Sequence, residues 1–323
     1  MVRILVAVSM GLLPTLATLA PPAYGWGDVG HMMVAFAAYQ DLTTATKARA
    51  NALVRKNPRH KDWVKLVPPG TPKADKDRML FMIAATWADQ IKGDSRYKSD
   101  GSHDGNRPDG SPNPAANRGY VDKLRHKYWH FIDTPFAIDT TPLPPIPTPN
   151  AQERIKLFRG VLASNAKDAL KSYDLVWLLH LVGDVHQPLH CATRVSATAL
   201  GGDDGGNGVK VHCPGCPSNL KLHAFWDEVP GTARGAAAIA PAIAAAKLLP
   251  KADATAAAKS DEKDWIDESF QASQNTVYQP PVGPGDGPFT LTTAYESTAK
   301  TVAEARIALA GARLANLLNA ELK

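Results

Sequence analysis

Three cysteines in 323 residues are too few for a disulfide-built scaffold or an all-thiolate metal site. Cys213 and Cys216 form a close Cys-x-x-Cys pair and Cys191 stands alone. With no second pair, half a zinc site or a redox motif ranks below a local Cys213–Cys216 disulfide in an oxidising compartment. Cys191 reads as a buried thiol. Charge of one sign is also scarce. The formal excess is only +5, without a long Lys/Arg stripe, which argues against a nucleic-acid-binding module without chemistry. Internal repeats are missing, and beyond residue 25 no apolar run has the length of a membrane span.

The first 25 residues differ from the rest. Arg3 gives a short basic start, residues 4–20 are mostly apolar but broken by Pro14, and small Ala23 and Gly25 occupy the positions a signal peptidase reads. The run is short and interrupted for an uncleaved anchor. We therefore expect a signal peptide over 1–25 and one secreted or periplasmic domain over 26–323. Cleavage would free the α-amino group of Trp26. A free amine and its own carbonyl oxygen can chelate a metal ion in a five-membered ring, and with a pKa of about 8 the amine deprotonates easily.

Helical spacing dominates the remainder, predicting an all-α, single, mainly helical domain with long loops and at most a short β-hairpin, near 209–212. Helices are expected over 34–39, 77–91, 151–189 (as two) and 292–322. Residues 175–185 are apolar almost all round and belong in the core, closed by Pro188. In the last helix Glu304, Arg306 and Arg313 are assigned to the polar side. The Ala-rich stretch 236–258 reads as surface helices split by Pro241 and Pro250. Residues 92–119, 134–149, 201–208 and 279–288 are loops by their Gly, Pro, Asn and Asp content.

What the chain does have is His and Asp in pattern. His180 and Asp184 are four apart on a predicted helix and so share a face; His190 follows just past Pro188, and His223 and Asp227 repeat the four-residue step. Trp87-Ala88-Asp89, Tyr128-Trp129-His130-Phe131-Ile132-Asp133 and Trp26-Gly27-Asp28-Val29-Gly30-His31 complete the set. A lone helical His is usually a hydrogen-bonded core residue, and a lone His-x-x-x-Asp pair a local polar contact. Five such histidines with three such aspartates are hard to explain as packing. Imidazole and carboxylate are the ligands zinc accepts where thiols are lacking.

In these motifs the chain resembles the exported zinc-dependent, single-strand-specific nucleases of fungi and plants and their bacterial relatives (the S-one/P-one type). It is similar, more distantly, to zinc phospholipases C of the same fold. The resemblance implies a trinuclear zinc cleft. Asp89, His130 and His180 would hold one ion, and His190, His223 and Asp227 a second. The Trp26 amine and carbonyl with His31 would hold a third, with Asp184 bridging the first and third. It also implies hydrolysis of single-stranded DNA and RNA to 5′-mononucleotides, action on 3′-nucleotides, and base stacking on Phe131. Asp133 would accept a hydrogen bond from substrate or water, its plainer reading being a helix-end cap. Lys92 stands where the family commonly has Arg, so it could neutralise a phosphate without gripping it bidentately.

The loop between Asp89 and His130 is longer than usual, and its part over 93–119 is expected to overhang the cleft. By composition His126 competes with His130. His186 reads as structural, and His60, His103 and His212 as surface residues. The competing functions are a zinc phospholipase C, whose members generally carry Glu at the position of Asp227, and a zinc-binding or storage protein, which would need closed coordination.

Overall fold

A computed structural model describes residues 25–100 and 123–322. The expected leader up to residue 24, His103 and most of the 93–119 loop lie outside the described residues. Twelve α-helices are found among those described: α1 (Asp28–Asp41), α2 (Thr44–Lys56), α3 (His60–Val64), α4 (Lys73–Ala84), α5 (Trp87–Gly93), α6 (Ala151–Ala163), α7 (Asp168–Asp184), α8 (Leu222–Glu228), α9 (Ala236–Ala246), α10 (Ala254–Ala257), α11 (Glu262–Ala272) and α12 (Thr293–Glu321). The all-α expectation holds.

The stretch 151–189 forms two helices. Asn150 begins α6 with a reciprocal capping box, its side chain accepting from the Gln152 and Glu153 amides while Glu153 reaches back to the Asn150 amide. α7 is buried from Lys171 to Asp184. It is central because it has no polar face to turn outward: α1, α2, α5, α6 and α12 all pack on it. Helix α12 lies along α1 at close range. A Cβ on Gly311 would stand 2.6 Å from the Ala37 Cβ, so only glycine fits at that crossing.

The β content is small. β1 (Pro135–Ala137) pairs in parallel with β2 (Thr193–Val195). This parallel pair exceeds the expected maximum of one short hairpin; near 209–212 the chain does fold back antiparallel through a bridge between Lys210 and Lys221, the Val211 amide donating to the Leu220 carbonyl and the Leu222 amide to the Val209 carbonyl, both at 2.9 Å. Cys213 and Cys216, joined as a disulfide, close the tip of this fold-back. β3 (Val211–His212) gains a second, parallel neighbour, β4 (Phe289–Thr290), delivered by the Pro/Gly connector.

Two expectations are corrected. Pro241 does not split the Ala-rich stretch; it lies inside α9, whose Ala238, Ile239 and Ala242 are buried. Packing of α9 on α1 outweighs the lost backbone hydrogen bond. Arg306 and Arg313 are not on a polar face. They are 8 % and 1 % exposed, because α11 covers that side of α12 and supplies Glu268 to both guanidinium groups. Arg306 also donates to Ser269 Oγ (2.6 Å), and Arg313 lies 3.0 Å from His186 Nε2.

Asp174 on α7 is fully buried, and neither carboxylate oxygen has a hydrogen-bond partner among the described residues. Burial alone pushes its carboxyl up to about 8. A raised acid pKa places the linked stability at low pH: it is intact below about pH 4 and is lost as pH climbs toward 8, at up to about 1.4 kcal/mol per unit. Thermal denaturation of wild type and Asp174→Asn, each zinc-loaded, is expected to show wild type losing more stability than the variant between pH 5 and 7.5. Parallel curves would contradict this assignment.

Candidate metal centre

The helices converge side chains from distant parts of the chain on one buried point. α7 brings His180 and Asp184, α1 brings His31, and α5 brings Asp89. His130 follows a 3-10 turn over Lys127–Trp129, and His190 sits in the one over Pro188–Cys191. α8 brings His223 and Asp227. All eight are at most 6 % exposed. Gly183 makes the approach of α1 possible, since a Cβ there would stand 2.9 Å from His31 Nδ1. The His31 and His180 rings stack with centroids 3.8 Å apart.

The hydrogen bonds fix which nitrogen faces inward. His180 Nδ1–H donates to the Ala85 carbonyl, His190 Nδ1–H to the His130 carbonyl and His223 Nδ1–H to the Gly205 carbonyl, each at 2.7 Å. For His190 and His223 each Nε2 is then a bare lone pair, while His180 Nε2 is turned onto the carboxylates of Asp89 and Asp184. Nε2 of His190 and Nε2 of His223 stand 3.2 Å apart, and Nε2 of His180 is 3.0 Å from His130 Nδ1. Carboxylates complete the grouping. His180 Nε2 is 3.4 Å from Asp89 Oδ1 and 3.1 Å from Asp184 Oδ2; His31 Nε2 is 3.4 Å from Asp184 Oδ1; His223 Nε2 is 3.5 Å from Asp227 Oδ2. Ligand atoms 2.0–2.1 Å from a tetrahedral ion lie about 3.3 Å from one another. Three groupings meet a metal-sized spacing: His31, Asp89 and His180; His130, His180 and Asp184; His190, His223 and Asp227.

Several inward atoms have no hydrogen-bond partner among the described residues: both nitrogens of His31, His130 Nε2, Asp184 Oδ1 and Asp227 Oδ2. Buried polar atoms are normally satisfied, so this cluster fits cations that would sit among them. The electrostatics agree. Burial drives His31 down to about 4, and burial with nearby positive charge drives His130 and His223 to about 3, leaving neutral, ligand-ready rings. Burial opposes charge on Asp89 and Asp184, yet the basic groups beside them, Lys92 and His180 for Asp89 and His180 and His190 for Asp184, hold both well below the usual carboxylate range. Burial also opposes charge on His180, but Asp184 and Asp89 overcome it and push its ring up to about 10, so positive charge is drawn to that spot.

Comparison with known proteins places the chain. The profile described as S1/P1 Nuclease matches residues 26–323. The chain belongs to the S1/P1 nuclease family. A similar curated relative is Nuclease S1 of Aspergillus oryzae, 26 % identical over 273 residues, or 79 % of this chain and 73 % of that protein. Membership in the S1/P1 nuclease family implies a hydrolase acting on nucleic acid.

The remaining expected residues fall as follows. Trp26 is fully buried at the centre's edge, and the Gly27 amide donates to the Asp227 carbonyl at 2.8 Å, tying the start of the domain to α8. Gly25 lies against the ligands: a Cβ there would be 1.8 Å from Asp184 Oδ1 and 3.1 Å from His190 Cε1. Lys92 is buried, with Nζ 2.7 Å from Asp89 Oδ1. Phe131 and Asp133 are half-buried, Phe131 against the edge of the core. His126 lies outside the groupings, stacked on Trp129 at 3.6 Å and paired with Asp100 at 2.5 Å. His186 is structural: its Nδ1–H donates to the Val182 carbonyl, and it lies outside the three groupings. His212 is exposed and His60 half-buried.

Sequence reasoning missed the residues that orient the ligands. Gln187 Nε2 donates to Asp227 Oδ1 at 2.7 Å, and its Oε1 caps the Leu189 amide. Buried Asp203 accepts from the Arg194 and Gly206 amides and from Tyr278 Oη, and so fixes the loop whose Gly205 carbonyl orients His223. Positive φ at Gly202, Gly205 and Gly206 is what the glycine run is for. Its only signal in the sequence was an aspartate set inside it. Gln187→Leu is expected to weaken the ion at His190, His223 and Asp227 by about 10–100-fold, read by chelator competition. Unaltered affinity would remove Gln187 from the ligand support.

Proposed function

We propose that this chain is an exported, zinc-dependent phosphodiesterase that cleaves single-stranded DNA and RNA to 5′-mononucleotides and also removes phosphate from 3′-nucleotides. The observation that carries the reading is the facing of bare imidazole nitrogens and orphaned carboxylate oxygens in a buried cluster at metal-ligand spacing. Three ions are assigned: Asp89, His130 and His180 to one, His190, His223 and Asp227 to the second, and His31 with the Trp26 amine and carbonyl to the third, with Asp184 between the first and third. When bound, zinc supplies Lewis acidity and lowers the pKa of a coordinated water to about 7.

The chain's own groups do the rest. His180, His190 and His223 are locked in one tautomer by backbone carbonyls, so their Nε2 atoms need no rearrangement to serve as donors. Asp184 Oδ1 and Oδ2 reach His31 and His130 respectively, which supports a bridging role. Lys92 places an ammonium beside Asp89 Oδ1, where it balances carboxylate charge and attracts a phosphate oxygen. Phe131 directly follows the ligand His130 and offers a face for a nucleobase, worth about 1–3 kcal/mol per stacked base and open to any sequence. Paired bases hide that face, which favours single strands. Asp133 accepts a hydrogen bond from substrate or water. Asp227 in place of Glu favours the nuclease over the phospholipase reading.

Purified protein beginning at Trp26 is expected to carry about three zinc ions per chain and to release 5′-nucleotides from denatured DNA and RNA, with orthophosphate from 3′-AMP. Chelation is expected to abolish all three reactions. Cleavage of phosphatidylcholine alone, or zinc uptake without turnover, would defeat the proposal.

One further outcome concerns the domain start. A residue retained before Trp26 occupies the space Gly25 takes beside Asp184 and His190, and it removes the free amine. A form carrying one extra residue is expected to lose the third ion and most of its activity. Equal zinc content and rate would exclude the amine as a ligand.

A further inference from the structure

A cavity of about 540 Å³ opens beside the metal centre, with Asp89 in its wall. That size lies in the range of small-ligand sites. Gly27, Asp28, Leu66, Gln90 and Arg234 also line it. Phe131, the base-stacking residue assigned above, does not line it.

Arg234 is the cation among the described lining residues. It lies on the loop between α8 and α9, and two ligand-bearing segments hold it. Nη2 donates to Glu228 Oε1 at 2.8 Å, one residue past Asp227. The guanidinium also lies over Gly27, next to Trp26, where an added Cβ would meet Nη1 at 2.7 Å. The loop is pinned on its far side by Asp28 Oδ2, which accepts from the Gly235 amide at 2.6 Å. Nη1 makes one long bond, 3.4 Å, to the Ala233 carbonyl. The other N–H groups of the five-donor fork have no partner among the described residues. The Arg234 side chain is 37 % exposed and the Glu228 side chain 31 %. An ion pair that open to water contributes only about 0–1 kcal/mol, so stability alone does not account for an arginine held in this position. Lys92, by contrast, is only 6 % exposed and turned onto Asp89.

The other wall groups suit a nucleotide. Leu66 is a half-buried apolar surface, and the exposed Gln90 carries an amide tethered to Thr86 Oγ1 at 2.8 Å. The carboxylates that would repel an anion are occupied: Asp89 by Lys92, Asp28 by the Gly235 amide and Glu228 by Arg234 itself.

We propose that this cavity is a second nucleotide subsite, in which Arg234 grips the phosphodiester adjacent to the scissile one while the neighbouring nucleoside lies against Leu66 and Gln90. The subsite rests on the nuclease reading and deepens it: the preferred substrate becomes an oligonucleotide with at least two backbone phosphates, shorter substrates being turned over without this contact. A guanidinium fork suits such a phosphate because it can donate two parallel bonds to its oxygens.

The test compares substrates of different length. Thymidylyl-thymidine carries only the scissile phosphate; a four-residue oligothymidylate carries neighbours. For zinc-loaded Arg234→Ala, kcat/KM on the tetranucleotide is expected to fall about tenfold more than on the dinucleotide, mainly through KM. The slope of log KM against log salt on the tetranucleotide is expected to become shallower by about 0.7, the share of one single-strand phosphate contact. Arg234→Lys is expected to recover the salt slope but only part of the affinity. Zinc content and melting temperature monitor folding in both variants, and the lysine form serves as the test if the alanine form does not fold.

Equal losses on both substrates, or no loss on either, would overturn the subsite while leaving the nuclease reading intact. A zinc-loaded wild type inert on every nucleotide would overturn that reading and the subsite together.

Discussion

The structure depends on imidazole rings whose outer nitrogens are spent on main-chain carbonyls, so that their inner nitrogens are turned onto one another and onto buried carboxylates. His190 and His223 face each other nitrogen to nitrogen at 3.2 Å, each with its proton committed elsewhere. Two lone pairs at that distance in a water-poor interior repel, and so do ionised carboxylates gathered a few ångströms apart. Cations placed between them turn each of these repulsions into attraction. Burial, tautomer and spacing are therefore one constraint, and the helical scaffold exists to enforce it.

The scaffold does so with rigid parts. α7 is enclosed from Lys171 to Asp184, so His180 and Asp184 cannot swing out of the cluster. Elsewhere, the buried Arg306 and Arg313 with the half-buried Glu268 and the neutral His186 form a polar knot that fastens α11 and α12 to the chain following α7. Such knots contribute little net stability but are costly to break, which makes them suited to fixing position. Nearer the ions, Gln187 and the Asp203-anchored glycine loop do the same by single hydrogen bonds. Only glycine at residues 183 and 205 leaves room for the rings that must approach.

Much of this was legible in the sequence, for a physical reason. His180–Asp184 and His223–Asp227 obey helical spacing, which is local, and their chemistry is rare enough to stand out from packing. The two helices in 151–189, the local disulfide and the mainly helical class follow from short-range rules too. What escaped depends on contacts between remote segments. The polar face assigned to Arg306 and Arg313 was read from α12 alone, and α11 reversed it. The break assigned to Pro241 ignored the burial of α9 on α1. Gln187 and Asp203 are ordinary polar residues until the fold sets a ligand beside them. Arg234 gave no signal in its Gly-flanked loop, because what distinguishes it is the pairing of α8 with the domain's first residues.

The orienting carbonyls carry one more implication, for the order of events as the chain folds. Those that hold His180 and His190 belong to residues 95 and 60 positions earlier. No short stretch of polypeptide can therefore preassemble a high-affinity site, and the loop-closure entropy of joining such segments is met before any ion is rewarded with full coordination. Tight metal capture at such a cluster would report a finished tertiary structure: affinity and folding free energy become a single linked quantity, and an unfolded or half-synthesised chain competes poorly for an ion.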